Sequence, residues 1–277
     1  MTASAEALSA RVAGLSVLVT GASSGIGEAL ANRLGDAGAK GLLVARSAEK
    51  LDAMRLAIES RGGTAFAYPA DLASAEDTQR LVEAVLADHG HVDILVNNAG
   101  MSIRRSVAKS YDRLHDFERT LSLNFLGAVR LIMGFLPQMR ARGQGQIING
   151  STIGVQVNVP RYGAYLASKA ALAAFSRVMA VEVLKDGVTV TTVYMPLVRT
   201  PMMESTTIYQ SFPMRSADEA ADLIVAGIVE QPKRVAVFAG NLFEFAYGVA
   251  PKAVDRILNA AYQLYPESGS KRDQREP

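Results

Sequence analysis

The sequence has no cysteine, no tryptophan and only three histidines among its 277 residues, and 29 basic residues nearly balance 27 acidic ones. Without cysteine there is no disulfide, no thiolate nucleophile and no cysteine-ligated zinc or iron–sulfur cluster, so redox chemistry would need a borrowed cofactor. His89, His91 and His115 are too scattered for a metal centre and are expected to be structural or solvated. A net charge of +2 gives no footprint for nucleic acid. No apolar window reaches the length of a membrane-spanning helix: "VRLIMGFLPQM" is short, and "NLFEFAYGVAPKAV" carries Glu244 and Pro251. Arg11 interrupts the apolar residues near the N-terminus, which does not read as a cleaved signal peptide, and a cytoplasmic protein is expected.

What the sequence does contain is a regular alternation. Short β-branched runs at Val17–Thr20, Leu42–Ala45, Ala65–Pro69, Ile94–Asn97, Gln146–Asn149, Val188–Tyr194 and Val235–Ala239 alternate with helical patterns near 25–38, 48–61, 74–88, 111–141, 162–184 and 216–230. No linker divides them, so one α/β domain over 1–277 is expected, with its core at about 14–240. Right-handed strand–helix–strand crossovers give a doubly wound parallel sheet covered on both faces, with ligands at the carboxyl ends of the strands.

"TGASSGIGEAL", residues 20–30, lies at such an end. Gly21 permits a tight turn, and Gly25 and Gly27 let backbone approach a pyrophosphate and helix pack on strand. The helix beginning near Gly25 offers free N–H groups and a partial positive charge to that phosphate. A ligand-free loop is the plain alternative. The second run ends "LLVARSAEK", where Arg46 stands in place of the acid that would bond ribose hydroxyls and can grip a 2′-phosphate. NADP(H) is therefore favoured over NAD(H), against the alternative that Arg46 is a solvated surface charge. Asp71 either accepts from the adenine amino group or caps the helix near Ser74. "NNAG", Asn97–Gly100, can tie strand ends, line the ribose side of a cofactor, or both.

In "YGAYLASKAAL", residues 162–172, Tyr165 and Lys169 lie four apart on one helical face, making Tyr165 the candidate acid. A nearby ammonium is expected to lower the phenol's pKa. Ser168 and Lys169, adjacent on the helix, face apart. Alone, Tyr-x-x-x-Lys is most often a surface accident.

TGASSGIG, NNAG, Asn124 in "SLNFLGAV", "IINGST" and YLASK in this order closely resemble the short-chain dehydrogenase/reductase family over about residues 14–240. The resemblance implies a Rossmann-type sheet of about seven parallel strands, hydride transfer with a nicotinamide cofactor, and a homodimer or homotetramer. It implies Tyr165 as general acid/base, Lys169 on the nicotinamide ribose, and Asn124 in a proton relay. It also implies cofactor contacts at Gly21, Ser23, Ser24, Gly25, Ile26 and Gly27, at Arg46, Asp71 and Leu72, at Asn98, Ala99 and Gly100, and at Tyr165, Lys169, Pro196, Val198 and Thr200. Two positions depart from the family pattern. The serine that polarises the substrate carbonyl falls on Thr152 by spacing from Tyr165, or on Ser151 if aligned on Gly154. Leu197 replaces a glycine and would crowd or reshape the nicotinamide end.

The segment "VRTPMMESTTIYQSFPMRS" resembles the family's mobile substrate lid, at about 199–215. Met202, Met203, Tyr209, Phe212 and Met214 make it apolar, favouring a lipophilic acyl, steroid or retinoid-like carbonyl or alcohol over a sugar, unless they pack on the core. Further on, at about 241–265, Val254, Ile257, Leu258, Ala261 and Leu264 form the apolar side of an amphipathic helix expected to dock on its own domain or a sister subunit, with membrane-surface contact the less favoured alternative. Residues 268–277 read as disordered. Asn149-Gly-Ser151 matches a glycosylation sequon but falls on an inner strand, so modification is not expected. An NADP-binding sensor that has lost turnover is the reading from another class, opposed by intact Tyr165, Lys169 and Asn124; an epimerase-type relative would carry a longer substrate domain.

Overall fold

Seven strands, β1 (Ser16–Thr20), β2 (Lys40–Ala45), β3 (Thr64–Pro69), β4 (Ile94–Asn97), β5 (Gly145–Thr152), β6 (Val188–Met195) and β7 (Arg234–Ala236), form one parallel sheet in the order β3-β2-β1-β4-β5-β6-β7. The computed structural model describes residues 3–203 and 213–264. The helices are α1 (Ala5–Val12), α2 (Gly25–Asp36), α3 (Ala48–Glu59), α4 (Ala75–His89), α5 (Leu114–Leu121), α6 (Ala128–Arg142), α7 (Ile153–Val157), α8 (Gly163–Glu182), α9 (Ala217–Glu230), α10 (Phe238–Val249) and α11 (Pro251–Leu264).

Because strand side chains alternate across a sheet, Val17 and Val19 enter one core with Leu8, Leu30, Leu34, Ile224 and Ile228 of α1, α2 and α9. Leu18 enters the other, with Leu131, Phe135 and Met139 of α6 and Met179 of α8. The chain leaves β1 to one side and β4 to the other, so the carboxyl ends of β1, β4 and β5 diverge around a crevice at the reversal of strand order.

Ser47, Ser74 and Ser216 each accept a first-turn backbone N–H and so fix the starts of α3, α4 and α9. The expected helix at 111–141 is interrupted: residues Ser122–Gly127 form a π-helical turn between α5 and α6, carrying Asn124 inward. Leu114–Arg142 and Gly163–Glu182 are long and apolar enough, by length and composition, to cross a membrane, which corrects the reading of the bare sequence. Their apolar residues supply the core face of α6 and α8. The seventh strand stops at Ala236 rather than Ala239, because Phe238 already opens α10. The C-terminal extension is two helices, broken at Ala250, not one.

Candidate active site

The glycine turn is closed against its neighbours. Gly21 has φ +69° and Gly25 φ +58°, and a Cβ at Gly25 would stand 3.2 Å from Thr200 Cγ2. A Cβ at Gly27 would overlap the Gly21 carbonyl, so α2 sits on β1 at a distance that only glycine allows. Ser24 is the residue before α2, yet its side chain makes no capping bond. The first N–H groups of α2 are left to the crevice. A backbone cradle at an uncapped helix start fits a dinucleotide pyrophosphate.

Thr20 and Asn98 hold the mouth of this turn. Asn98 Nδ2 donates to the Thr20 carbonyl at 2.9 Å, and the N–H groups of Asn98 and Ala99 donate to Thr20 Oγ1, each at 2.9 Å. Thus Asn98 ties strand ends and also faces the crevice.

On α8, Lys169 is buried, and its Nζ donates to the Gly150 carbonyl of β5 at 2.8 Å. Gly100 leaves room beside it: a Cβ there would lie 3.2 Å from Asn124 Oδ1 and 3.3 Å from Lys169 Nζ. Asn124 is wholly engaged, accepting from Met101 N–H (2.8 Å) and donating to the Met101 carbonyl (2.9 Å) and Ser168 Oγ (2.9 Å). Ser168 in turn donates to the Tyr165 carbonyl at 2.6 Å, away from Lys169.

The Thr152 side chain faces Tyr165 closely enough to pull the phenol's pKa down. Thr152 also accepts from Gly154 N–H at 3.1 Å, starting α7. Ser151, one residue earlier on β5, is buried, with its hydroxyl unpartnered among the described residues. Both candidate hydroxyls line the same cavity, and Thr152 is the one that acts on the Tyr165 phenol.

The electrostatics differ from the sequence expectation. Burial pushes the Tyr165 phenol up to about 12, against a smaller downward pull from the Thr152 side chain, and burial brings Lys169 down to about 8. Lys169 does not depress the phenol here. Low polarity disfavours phenolate and ammonium alike.

These residues line one cavity of about 600 Å³, from Gly21, Ser24, Gly25 and Ile26, past Asn98, Ala99, Gly100, Ser151, Thr152, Tyr165 and Lys169, to Pro196, Val198 and Thr200. The rest of the lining is mainly apolar, with Val157, Val159, Leu166, Leu197, Met202 and Met203, and Leu258, Ala261 and Tyr262 of α11, beside Ser102, Arg104 and Arg161. Leu197, the departure from the family pattern, is part of that wall. Ser23, Gly27, Arg46, Asp71, Leu72 and Asn124 lie outside the cavity lining. Arg46 is exposed at the end of β2. Asp71 accepts from Ala73 N–H at 3.0 Å within its own turn, while Ser74 caps α4, so Asp71 is not that helix's cap. Buried Leu72 packs on Gly127, whose Cβ would collide with its carbonyl.

Among the described residues no group of His, Asp or Glu is arranged to hold a metal. His89 packs its ring on Phe66 and Tyr68, and His91 and His115 sit beside Asp93 and Asp116. Asn149 is buried in β5 and bonded to Asn97 and Ser176, which leaves its sequon inaccessible.

The sequence reading missed Arg161. It takes φ +70°, donates to the Tyr262 carbonyl at 3.0 Å and stacks on the Tyr262 ring at 4.1 Å, fastening α11 over the cavity. Its contact spans 101 positions, which no local pattern could signal. Met202, Met203 and Met214 fall in the described part of the lid segment, whereas Tyr209, Phe212 and the tail 268–277 lie outside the described residues. Hydrogen bonds of 2.9 Å from Arg199 N–H to the Arg215 carbonyl and from Arg215 N–H to the Leu197 carbonyl bring the two ends of that segment together.

With its parallel sheet, glycine cradle and Tyr165–Lys169 pair in place, residues 16–210 match the family described as short chain dehydrogenase. The chain belongs to that family. As a short-chain dehydrogenase it is an oxidoreductase working between alcohol and carbonyl groups. It is 51% identical over 257 residues to a fatty acyl-CoA reductase of Acinetobacter baylyi, covering 93% of this chain and 87% of that one. A fatty acyl-CoA reductase of Mycobacterium tuberculosis is 43% identical over 246 residues, 88% of this chain and 84% of the other. Among solved structures, a metagenomic short-chain oxidoreductase in complex with NADP superposes with a TM-score of 0.71 at 30% identity, over 82% of this chain and 98% of that one.

Proposed function

We propose that this short-chain dehydrogenase reduces the carbonyl of a long-chain acyl compound, a fatty acyl thioester or the aldehyde formed from it, with NADPH as reductant. The observation that carries the reading is the single cavity that joins the glycine cradle to an apolar chamber walled by Met202, Met203, Leu258 and Ala261. Two relatives named as fatty acyl-CoA reductases support the acyl class. Exposed Arg46, with no acid at the end of β2, supports NADPH over NADH, as does the NADP complex of the metagenomic relative.

The residues present would hold the cofactor along Gly21, Ser24, Gly25 and Ile26, then Asn98 and Lys169, and finally Pro196, Val198 and Thr200. When bound, NADPH supplies the hydride that reaches the carbonyl carbon. Thr152 orients the carbonyl oxygen toward Tyr165, whose phenol donates the proton; an aldehyde becomes the alcohol in this step, and a thioester becomes a hemithioacetal that releases the thiol, with its proton, to leave the aldehyde. Because burial holds Tyr165 at about 12, the phenol is protonated at neutral pH, the form that reduction consumes. Lys169, fixed on the Gly150 carbonyl, aligns the sugar of the cofactor, and Asn124, held by Met101 and Ser168, fixes the strand exit and the helix on either side of it.

Self-association is part of the proposal. The outward sides of α6, α8 and the turns beside them leave Leu126, Met133, Val178, Val181 and Leu184 exposed, a face suited to a second copy.

The test is NADPH consumption with long-chain acyl-CoA, fatty aldehyde, steroid and sugar carbonyls, NADH in parallel and Tyr165→Phe as control. Turnover confined to acyl compounds and lost in the variant is expected. Turnover with sugars instead, or binding of NADPH with no turnover on any carbonyl, would overturn the reading, the latter in favour of a sensor.

A further inference from the structure

Helices α10 and α11 carry more exposed apolar surface than packing on their own domain explains. On α10, Phe238, Leu242, Phe245 and Val249 recur at i, i+4, i+7 and i+11 and are 80%, 54%, 70% and 70% exposed. This stripe contains no charge. The acid of the helix, Glu244, points the other way, to Arg234 at 2.7 Å and Gln156 at 3.1 Å.

The sequence pattern suggested one apolar side on α11, but the structure divides it in two. Val254, Leu258 and Tyr262 turn inward, Val254 buried and the other two lining the cavity. Ala253, Ile257, Ala260 and Leu264 repeat the i, i+4, i+7, i+11 spacing on a separate, exposed arc, Leu264 at 77%. Lys252, Asp255, Arg256 and Asn259 fill the third arc, where two cations outnumber one anion.

We propose that the outer face of the α10–α11 pair docks on a lipid bilayer, lying flat at the headgroup level. A charge-free stripe on α10, and on α11 an exposed apolar arc next to the one bearing Lys252, Arg256 and Asp255, are the chemistry of an interfacial helix pair: apolar side chains enter the acyl boundary while the cations meet lipid phosphates. The wall of the substrate cavity and the docking face are two sides of one helix. Leu258, Ala261 and Tyr262 of α11 line the cavity that Tyr165 also lines. A second copy of the chain has a different face available on α6 and α8. The benefit to turnover rests on the acyl reading above, whereas docking is measurable without any substrate.

The experiment is flotation of the full-length protein with anionic vesicles of phosphatidylglycerol and phosphatidylethanolamine and with neutral vesicles of phosphatidylcholine, alongside sedimentation without lipid. The native protein is expected to float. Leu242→Asp/Phe245→Asp should cut the bound fraction about tenfold or more, with thermal unfolding, oligomeric state and NADPH consumption on a water-soluble short aldehyde unchanged. Should that double variant fail to fold, Ile257→Ser and Lys252→Glu/Arg256→Glu serve in its place, the latter losing binding only to the anionic vesicles. Native protein that stays unbound, variants that float as well as native, or a double variant that merely breaks the oligomer would each overturn the proposal. Flotation without acyl turnover would retain the docking face and remove the acyl reading; acyl turnover without flotation would do the reverse.

Discussion

Replacing Lys169 by methionine should make the protein more stable at pH 7 and inactive. Burial lowers the Lys169 pKa from 10.5 to about 8, and each pH unit corresponds to about 1.4 kcal/mol, so holding the ammonium inside costs about 3 kcal/mol. Its hydrogen bond to the Gly150 carbonyl returns about 1.5 kcal/mol. Methionine fills a similar volume without charge, and the net gain is about 2 kcal/mol. The folded-state pKa lies below the unfolded one, so between pH 8 and 10.5 the unfolded chain binds more protons and native stability rises with pH. Below pH 8 both states are protonated and the full penalty stands. The variant's advantage is therefore largest at pH 7 and should vanish by about pH 10. Urea unfolding of both proteins at those two pH values and one protein concentration measures it, with NADPH consumption read in parallel. A variant less stable than native at pH 7, or an advantage that does not shrink on going to pH 10, would refute the reasoning.

Thr152→Val should lower kcat about a hundredfold and cost about 1 kcal/mol through the lost cap on Gly154; Thr152→Ser should restore both, and Ser151→Ala should leave kcat within a few-fold. Gly27→Ala drives a Cβ into the Gly21 carbonyl, so NADPH affinity by fluorescence titration should fall at least tenfold and thermal stability should drop by 1–3 kcal/mol, as overpacking does (~1–3 kcal/mol). Arg46→Ala should raise KM for NADPH about tenfold and leave KM for NADH unchanged, because only the former carries the 2′-phosphate.

The inner half of the site was legible because its signals are local. Glycines at fixed offsets after a β-branched run, and Tyr165 and Lys169 one helical turn apart, depend on backbone geometry within a few residues, and the sheet built on them follows from the alternation of periods two and 3.6. The choice between Ser151 and Thr152 was not legible. Adjacent strand residues face opposite sides, and which faces Tyr165 depends on how α8 crosses β5. The protonation behaviour was missed for a related reason: spacing brings a cation near a phenol, but only the packed structure reveals that both have lost water. Arg161 and the division of α11 into inner and outer apolar arcs depend on contacts far along the chain, where sequence pattern carries no register.

Helix α11 is attached through few points: Val254 is its sole buried residue, and Arg161 grips its last turn. Backbone amides of 251–264 are therefore expected to exchange with solvent deuterium by local opening while those of the central strands wait for global unfolding. One wall of the reaction chamber thus melts and re-forms on a free-energy scale of its own. Opening on that scale would widen the cavity without loosening the sheet that carries the site.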